Sequence, residues 1–179
     1  MSNAGPTPEA DELRHQLAAV LSKHSIIVGI GNRQKGDDGF GPSVVDALEG
    51  KVSIPLIDAG VAPENYLQHI AGYNPDTVLF IDVAELDRAP GEIGLYSADD
   101  LAGGGISCHV GNISLIAKYI ASATGAKCVF LLVQPSDVKY LSKCSPGSSD
   151  EYQVSELSPL LAKAVEKVCK VIVSSIDNV

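Results

Sequence analysis

Runs of β-branched and aliphatic residues alternate along this chain with segments of helical periodicity. Four runs, at residues 25–30, 54–58, 77–82 and 127–133, are mostly apolar. Such runs are typical of strands that are buried on both faces of a parallel sheet. Because helical segments separate them, the order of the chain predicts strand–helix–strand units. A fifth run, 91–96, alternates polar and apolar residues after a Pro90-Gly91 turn signal, which predicts an edge strand.

The predicted helices each present one apolar stripe. The first carries Leu13, Leu17, Val20 and Leu21 and is expected to end before Ser25. The second covers 40–48, with Asp37 or Asp38 available as its N-cap and Gly50 at its end. Three more are expected near Pro63, over 110–123 and over 157–176. Together these elements predict an α/β three-layer sandwich of the phosphorylase/hydrolase-like kind, with helices on both faces of a mainly parallel five-stranded sheet.

Length and composition predict one domain. The chain has 179 residues and is 45% apolar, which suits a single buried core. We expect residues 1–8 to be a poorly ordered leader whose first four residues are a cloning remnant, and 9–179 to form one α/β domain. Glycines 103–105 predict a mobile loop, and segment 134–155 is expected to be an exposed, adaptable loop.

Charge and cysteine usage restrict the partners and the compartment. A net charge of -9 and a pI near 4.7 disfavour nucleic acid and membrane insertion. The four cysteines form no C-x-x-C pair and no dense framework, so reduced thiols are expected. Because no secretion signal is recognisable either, the sequence predicts a cytoplasmic location.

Acidic residues and one histidine lie where strands are predicted to end and helices to begin. Asp58 and Asp82 end strands, Asp37 and Asp38 follow the first strand, and His109 precedes a helix. Because the carboxyl ends of parallel strands share one edge, these side chains are expected to converge. Clustered carboxylates repel one another unless a cation compensates them. Two carboxylates and a neutral imidazole suit nickel, zinc, manganese or iron, with positions left open for water or substrate.

Simpler interpretations compete with the metal site. Asp37 can be a helix N-cap, Asp58 and Asp82 can cap neighbouring loops, and His109 can be a structural histidine. The glycines between 29 and 41 also suggest a phosphate-binding loop, although the third glycine of a dinucleotide fingerprint is not at its usual offset. A nucleotide-binding enzyme therefore remains an alternative at this stage.

Residues 29–41, GIGNRQKGDDGFG, resemble the opening G-x-G-N-x-x-x-x-D-[DE]-x-x-G motif of the hydrogenase maturation endopeptidases. Further similarity, in the family's order, lies in segments 58–65, 80–83, 90–93, 107–112 and 132–135. The resemblance extends over about residues 26–168 and is closest to the branch that serves formate-linked hydrogenases.

The resemblance implies an endopeptidase that removes a C-terminal extension from a [NiFe]-hydrogenase large-subunit precursor after nickel insertion. Asp38, Asp82 and His109 would be the catalytic and metal-binding residues, and nickel, carried by the substrate, the metal, with zinc or cadmium as substitutes. The family is often described as aspartic-type. Asp37 and Asp58 are expected to orient these ligands. The residues of the loop expected to contact the substrate are Gly31, Asn32 and Gly36.

Two departures from the family pattern bear on the substrate. Arg33-Gln34-Lys35 is polar where the family usually has an apolar residue, which puts the precursor contacts of this loop in question. Segment 136–155 is longer than its counterpart in the closest branch. It either alters the rim of the cleft or is a tolerated surface insertion, and we favour the insertion. A non-catalytic metal-binding or chaperone module that inspects a partner with the same ligands is the main rival hypothesis, and cleavage distinguishes the two.

Overall fold

The computed structural model describes residues 8–102, 110–136 and 156–176. Five strands form one sheet in the order β2-β1-β3-β5-β4. They are β1 (Ser25–Ile30), β2 (Leu56–Gly60), β3 (Thr77–Val83), β4 (Ile93–Ser97) and β5 (Lys127–Val133). Four strands run parallel, and β4 pairs antiparallel with β5 at the edge. The mainly parallel five-stranded sheet with an edge strand, predicted from the sequence, is confirmed.

Helices cover both faces of the sheet. They are α1 (Pro8–Ala18), α2 (Phe40–Leu48), α3 (Leu67–Gly72), α4 (Ala98–Ala102), α5 (Val110–Thr124) and α6 (Pro159–Ile176), with 3-10 turns at Gly36–Gly39 and Pro63–Tyr66. One buried cluster joins α1, α2 and α6 to the sheet, and a second joins α3, α4 and α5 to the opposite face. The predicted three-layer sandwich is therefore confirmed.

Several predicted boundaries were wrong. Pro8 is the first residue of α1 rather than part of the leader, a position where proline's missing N–H has no consequence. The helix ends at Ala18, so Val20 and Leu21, which the prediction placed on its apolar face, lie beyond it. Strand β2 begins at Leu56, after Pro55, which has no N–H to donate to a ladder. The short α4 was not predicted. The predicted glycine loop 103–105 and residues 137–155 of the predicted 134–155 loop lie outside the described residues.

The strand order creates a switch point beside β1. From β1 the chain passes through α2 to β2 on one side, and then through α3 to β3 on the other side. In open α/β sheets, ligands bind at the carboxyl ends of strands next to such a reversal. The fold therefore places a candidate site between the loop that follows β1 and the end of β3.

Candidate active site

The loop between β1 and α2 folds back on itself at two glycines. Gly31 has φ 132°, and a Cβ built there would lie 1.8 Å from the carbonyl oxygen of Asp38. Gly36, with φ 58°, begins the 3-10 turn that contains Asp38. The Asn32 N–H donates to Asp38 Oδ2 at 3.1 Å. This fold therefore brings the Asp38 carboxylate beside the carboxyl end of β1, and it needs glycine where a side chain would collide.

The remaining glycines of the motif let α2 approach the sheet. A Cβ on Gly29 would lie 2.5 Å from the Gly41 carbonyl oxygen, and a Cβ on Gly41 would lie 2.3 Å from the Ile30 and Ile81 oxygens. Helix α2 therefore starts directly against the backbones of β1 and β3. Backbone packing accounts for the glycine pattern that also suggested a phosphate-binding loop. The edge of the sheet beside this loop, at the carboxyl ends of the strands, carries carboxylates. We therefore set the nucleotide hypothesis aside.

Asp82 and Asp38 lie close together at the switch point. The Asp82 side chain is only 3% exposed, and its Oδ1 accepts the Val83 N–H at 2.8 Å. Burial, together with the negative charge of nearby Asp38, raises the pKa of Asp82 well above its usual value, and the Val83 hydrogen bond offsets this only in part. None of the ion pairs between described residues involves Asp82. A buried carboxyl group next to a second carboxylate is an arrangement that a bound cation would stabilise.

Asp37 has a different position from the one expected of an N-cap. The N-cap of α2 is Gly39, and no side chain caps that helix, so the prediction that Asp37 or Asp38 caps α2 was wrong. Asp37 instead accepts the Ser136 N–H at 2.9 Å, the Ser136 hydroxyl at 2.5 Å and the Ser158 N–H at 2.8 Å. It therefore ties the loop after β1 to the segment after β5 and to the start of α6.

We expect Asp37→Asn to lower the free energy of unfolding at neutral pH by roughly 1.5–3 kcal/mol. The two carboxylate oxygens accept N–H groups from Ser136 and Ser158, and an amide would present its own N–H₂ to one of them. Burial favours the neutral acid, but these hydrogen bonds outweigh it and lower the pKa of Asp37. The stabilisation is therefore complete above pH 3.8 and is lost as the pH falls through the folded-state pKa.

Urea denaturation from pH 2.5 to 7 measures this effect, with Asp99→Asn, a change of an exposed carboxylate on α4, as the control. The Asp37→Asn variant should show a weaker dependence of stability on pH below 3.8 than the wild type. Parallel curves for the two proteins would contradict the assigned hydrogen bonds.

Asp58 is held by a neighbour and by its own strand end. Its Oδ1 accepts the Gly60 N–H at 3.0 Å, and its Oδ2 accepts Arg33 Nη2 at 2.8 Å. The local cap considered from the sequence is therefore present, and an ion pair to the loop after β1 is added to it. Through Arg33, Asp58 thus contacts the loop that carries Asp38. From the sequence, the polarity of Arg33 was considered only for contacts with the substrate.

Gln134 was placed by the sequence at the start of an expected exposed loop and was given no role, but the structure buries it. It follows β5, is 5% exposed, and its side-chain oxygen accepts the N–H groups of Leu86 at 2.7 Å and Arg88 at 3.4 Å. Its backbone N–H and carbonyl also bond to Glu92 and Gly91. Gln134 therefore supports the segment that leaves β3 just after Asp82. A polar residue directly after an apolar strand at this rim was the available signal.

The third predicted ligand, His109, lies outside the described residues, immediately before α5. Within the described residues, no group of three His, Cys, Asp or Glu side chains is close enough to hold a metal ion. Of the three predicted ligands, Asp38 and Asp82 are described, and the structure brings them close together. The substrate-contacting role of Gly31, Asn32 and Gly36 stays a prediction.

Comparison with known proteins identifies the family. The family model described as HycI, hydrogenase maturation protease, matches residues 42–175, which is most of the chain. The chain belongs to the hydrogenase maturation protease family. The expected family and endopeptidase class are confirmed, and the protein is a hydrolase whose family acts on hydrogenase large-subunit precursors. The match begins at residue 42, just after the glycine-rich loop. The position of Asp38 in the site therefore rests on the geometry described above.

Individual members of the hydrogenase maturation protease family are similar over long stretches. A Methanocaldococcus jannaschii protein assigned to the hydrogenase maturation proteases is 32% identical over 128 residues, which cover 66% of this chain and 76% of the relative. The hydrogenase 3 maturation protease of Escherichia coli is 35% identical over 79 residues, 43% of this chain and about half, 51%, of that relative. Among solved structures, the [NiFe] hydrogenase maturation protease HycI from Thermococcus kodakarensis superposes with TM-score 0.74 at 29% identity, covering 91% of this chain and 99% of the other.

No helix in the described part of this protease is both long enough and apolar enough to cross a membrane.

Proposed function

We propose that this protease removes the C-terminal extension of a [NiFe]-hydrogenase large-subunit precursor after nickel insertion, and that Asp38, Asp82 and His109 recognise the substrate-borne nickel. The observation that carries the proposal is the juxtaposition of Asp38 with buried Asp82 at the switch point of the sheet. Family membership supports the reaction class. The named ligands and the nickel, which the resemblance to the family implies, are part of this proposal.

The residues present suit a nickel-bearing substrate. Carboxylate oxygens with an imidazole form a mixed O,N donor set that nickel accepts, and zinc or cadmium can replace it in binding tests. Burial of Asp82 beside Asp38 disfavours two adjacent negative charges, and a divalent cation relieves that cost. Two ligands from the described rim, completed by His109, would leave coordination positions to the precursor.

The chain's own residues bind and orient the precursor in this proposal. Nickel bound there would polarise the scissile carbonyl or a water molecule. Asp82, fixed by the Val83 N–H, would hold the nickel from the floor of the site. Half-buried Asp38, held by the Asn32 N–H, lies nearer the solvent and would bind the nickel from that side.

We place this reaction in the cytoplasm. Both described cysteines, Cys128 and Cys169, are buried free thiols, which supports a reducing compartment. The net charge of -9 agrees with a protein substrate and gives no attraction to nucleic acid.

Cleavage of the nickel-loaded precursor tests the proposal directly. We expect wild-type protein to remove a short C-terminal peptide, and Asp38→Ala and His109→Ala each to lower the rate by about 100-fold or more, because each removes a group that holds the reacting centre. Intact-mass spectrometry follows the precursor, and Asp99→Asn, which changes an exposed carboxylate on α4, is the control.

Three outcomes would overturn the assignment. Normal processing by His109→Ala would remove that residue from the ligand set. An unchanged precursor mass with wild-type protein, once nickel occupancy is confirmed, would favour the non-catalytic metal-binding or chaperone hypothesis. Thermal stabilisation by nucleotides without any by nickel would favour the nucleotide-binding enzyme.

A further inference from the structure

Arg33 makes five hydrogen bonds that join three elements. Its Nη1 and Nη2 donate to the two carboxylate oxygens of Asp46 on α2, at 2.5 and 2.9 Å. Its Nε and Nη2 donate to Asp58 Oδ2 in β2, at 3.1 and 2.8 Å. Its Nη2 also donates to the Pro42 carbonyl oxygen at 3.3 Å. The guanidinium of one loop residue is thus held by a helix and by a neighbouring strand.

The backbone next to Arg33 touches the part of the loop that carries Asp38. Asn32, the preceding residue, donates its N–H to Asp38 Oδ2, and the Cβ position of Gly39 lies 3.2 Å from Arg33 Cα. The two arms of the loop are therefore in direct contact at this point. Any displacement of Arg33 would move the Asn32 N–H and, with it, the orientation of the Asp38 carboxylate.

We propose that Arg33 is a positioning residue, which fastens the loop after β1 to α2 and β2 and so keeps the Asp38 carboxylate in place near Asp82. The inference rests on the proposed function in so far as Asp38 is taken to contact the substrate's nickel. It also gives Asp46, which lies outside the site, a role through Arg33.

The geometry of this network sets it apart from an ordinary surface ion pair. Single exposed pairs contribute little, because solvent screens them and two flexible side chains must be ordered. Here the planar guanidinium meets Asp46 with two parallel hydrogen bonds, an arrangement that a lysine cannot reproduce. Asp58 is itself fixed by the Gly60 N–H. The side-chain groups are 36–54% exposed, so we expect a moderate effect.

Amide hydrogen exchange measured by NMR tests the positioning without any precursor. In Arg33→Gln, we expect the Asn32 amide to exchange about three- to tenfold faster, while the Ile27 amide of β1 stays within about twofold of wild type. Asp46→Asn should reproduce part of this change. The matched control is Arg14→Gln, which breaks an exposed pair with Asp11 on α1 and should change neither amide.

Kinetics with the nickel-loaded precursor test the consequence. We expect Arg33→Gln to raise KM by about three- to tenfold with little change in kcat, since a misoriented Asp38 weakens ground-state binding of the precursor. The double variant with Asp46→Asn should be no worse than Arg33→Gln alone, because both changes break the same contact.

The proposal would be overturned if the Asn32 amide of Arg33→Gln exchanged at the wild-type rate. It would also be overturned if the Ile27 amide accelerated equally, because that result indicates general destabilisation. Faster Asn32 exchange with unchanged KM would also overturn it. The Asp38→Asn variant separates this inference from the proposed function. If Asp38→Asn processes the precursor normally, the ligand assignment fails, whereas the exchange data still decide whether Arg33 fastens the loop.

Discussion

Asp82→Asn is expected to abolish precursor processing and, in metal-free protein, to raise the free energy of unfolding. The rate of processing should fall by about 100-fold or more, because the change removes a metal ligand. Loss of that ligand removes several kcal/mol of transition-state stabilisation. Stability should rise by about 0.5–2 kcal/mol, since a buried carboxyl group beside Asp38 is replaced by an amide of the same shape that can donate to it. Opposite effects on activity and stability are what a functional buried acid produces.

The paired measurements are mass spectrometry of the precursor and urea denaturation without metal. Asp76→Asn is the matched control, because Asp76 directly precedes the opposite end of β3 and is exposed. It should leave processing unchanged and stability within about 0.5 kcal/mol. Nickel or zinc should raise the melting temperature of wild-type protein more than that of Asp82→Asn. Equal stabilisation of both proteins by the metals, or normal processing by Asp82→Asn, would exclude Asp82 as a ligand.

Gly41→Ala is expected to destabilise the fold by about 3 kcal/mol or more. The new methyl group would lie 2.3 Å from the carbonyl oxygens of Ile30 and Ile81 and 2.6 Å from the Ile30 nitrogen. These are backbone atoms of the two central strands, which cannot move aside as a flexible side chain can. Helix α2 would have to lift from the sheet and displace the end of β3 and the loop after β1.

Urea denaturation measures this effect, and Gly72→Ala is the control. A Cβ at Gly72, the last residue of α3, meets no atom within 4 Å, so alanine there should be neutral or slightly stabilising. If Gly41→Ala unfolds at the same urea concentration as the wild type, α2 does not contact the strands in the way described.

The sheet could be predicted from the sequence because each strand is a short apolar run between turn signals. Strand β3 is buried at every position, as its continuous apolar pattern indicated. The start of β2 could not be placed, because Pro55 acts in the ladder only through its carbonyl oxygen, which accepts the Ile27 N–H. The end of α1 was missed because Leu21 continues the apolar stripe beyond the helix: it is buried, but it lies after the last helical residue, Ala18.

The convergence of two acidic residues at one edge of the sheet was predicted, whereas their role as ligands stays a prediction. Asp38 and Asp82 could be placed together because the carboxyl ends of parallel strands meet at one edge, and the structure brings them close. The interpretation of Asp37 as an N-cap of α2 failed because its partners, Ser136 and Ser158, are about a hundred residues away in the chain. No local pattern predicts such contacts, since they depend on how β5 and α6 pack against the loop.

The sequence by itself determined the α/β class and the edge of the sheet on which the acidic residues lie, because apolar periodicity is a local property of the chain. It also indicated the family, through the resemblance of residues 29–41 and of further segments to the family's motifs. Only the tertiary structure decided which partner each carboxylate has. Asp82 is buried beside a second acid, Asp37 joins two distant segments, and Asp58 and Asp46 hold Arg33. These four aspartates look alike in sequence, and they differ because burial and hydrogen-bond partners are set by elements that meet only when the sheet and its helices have packed.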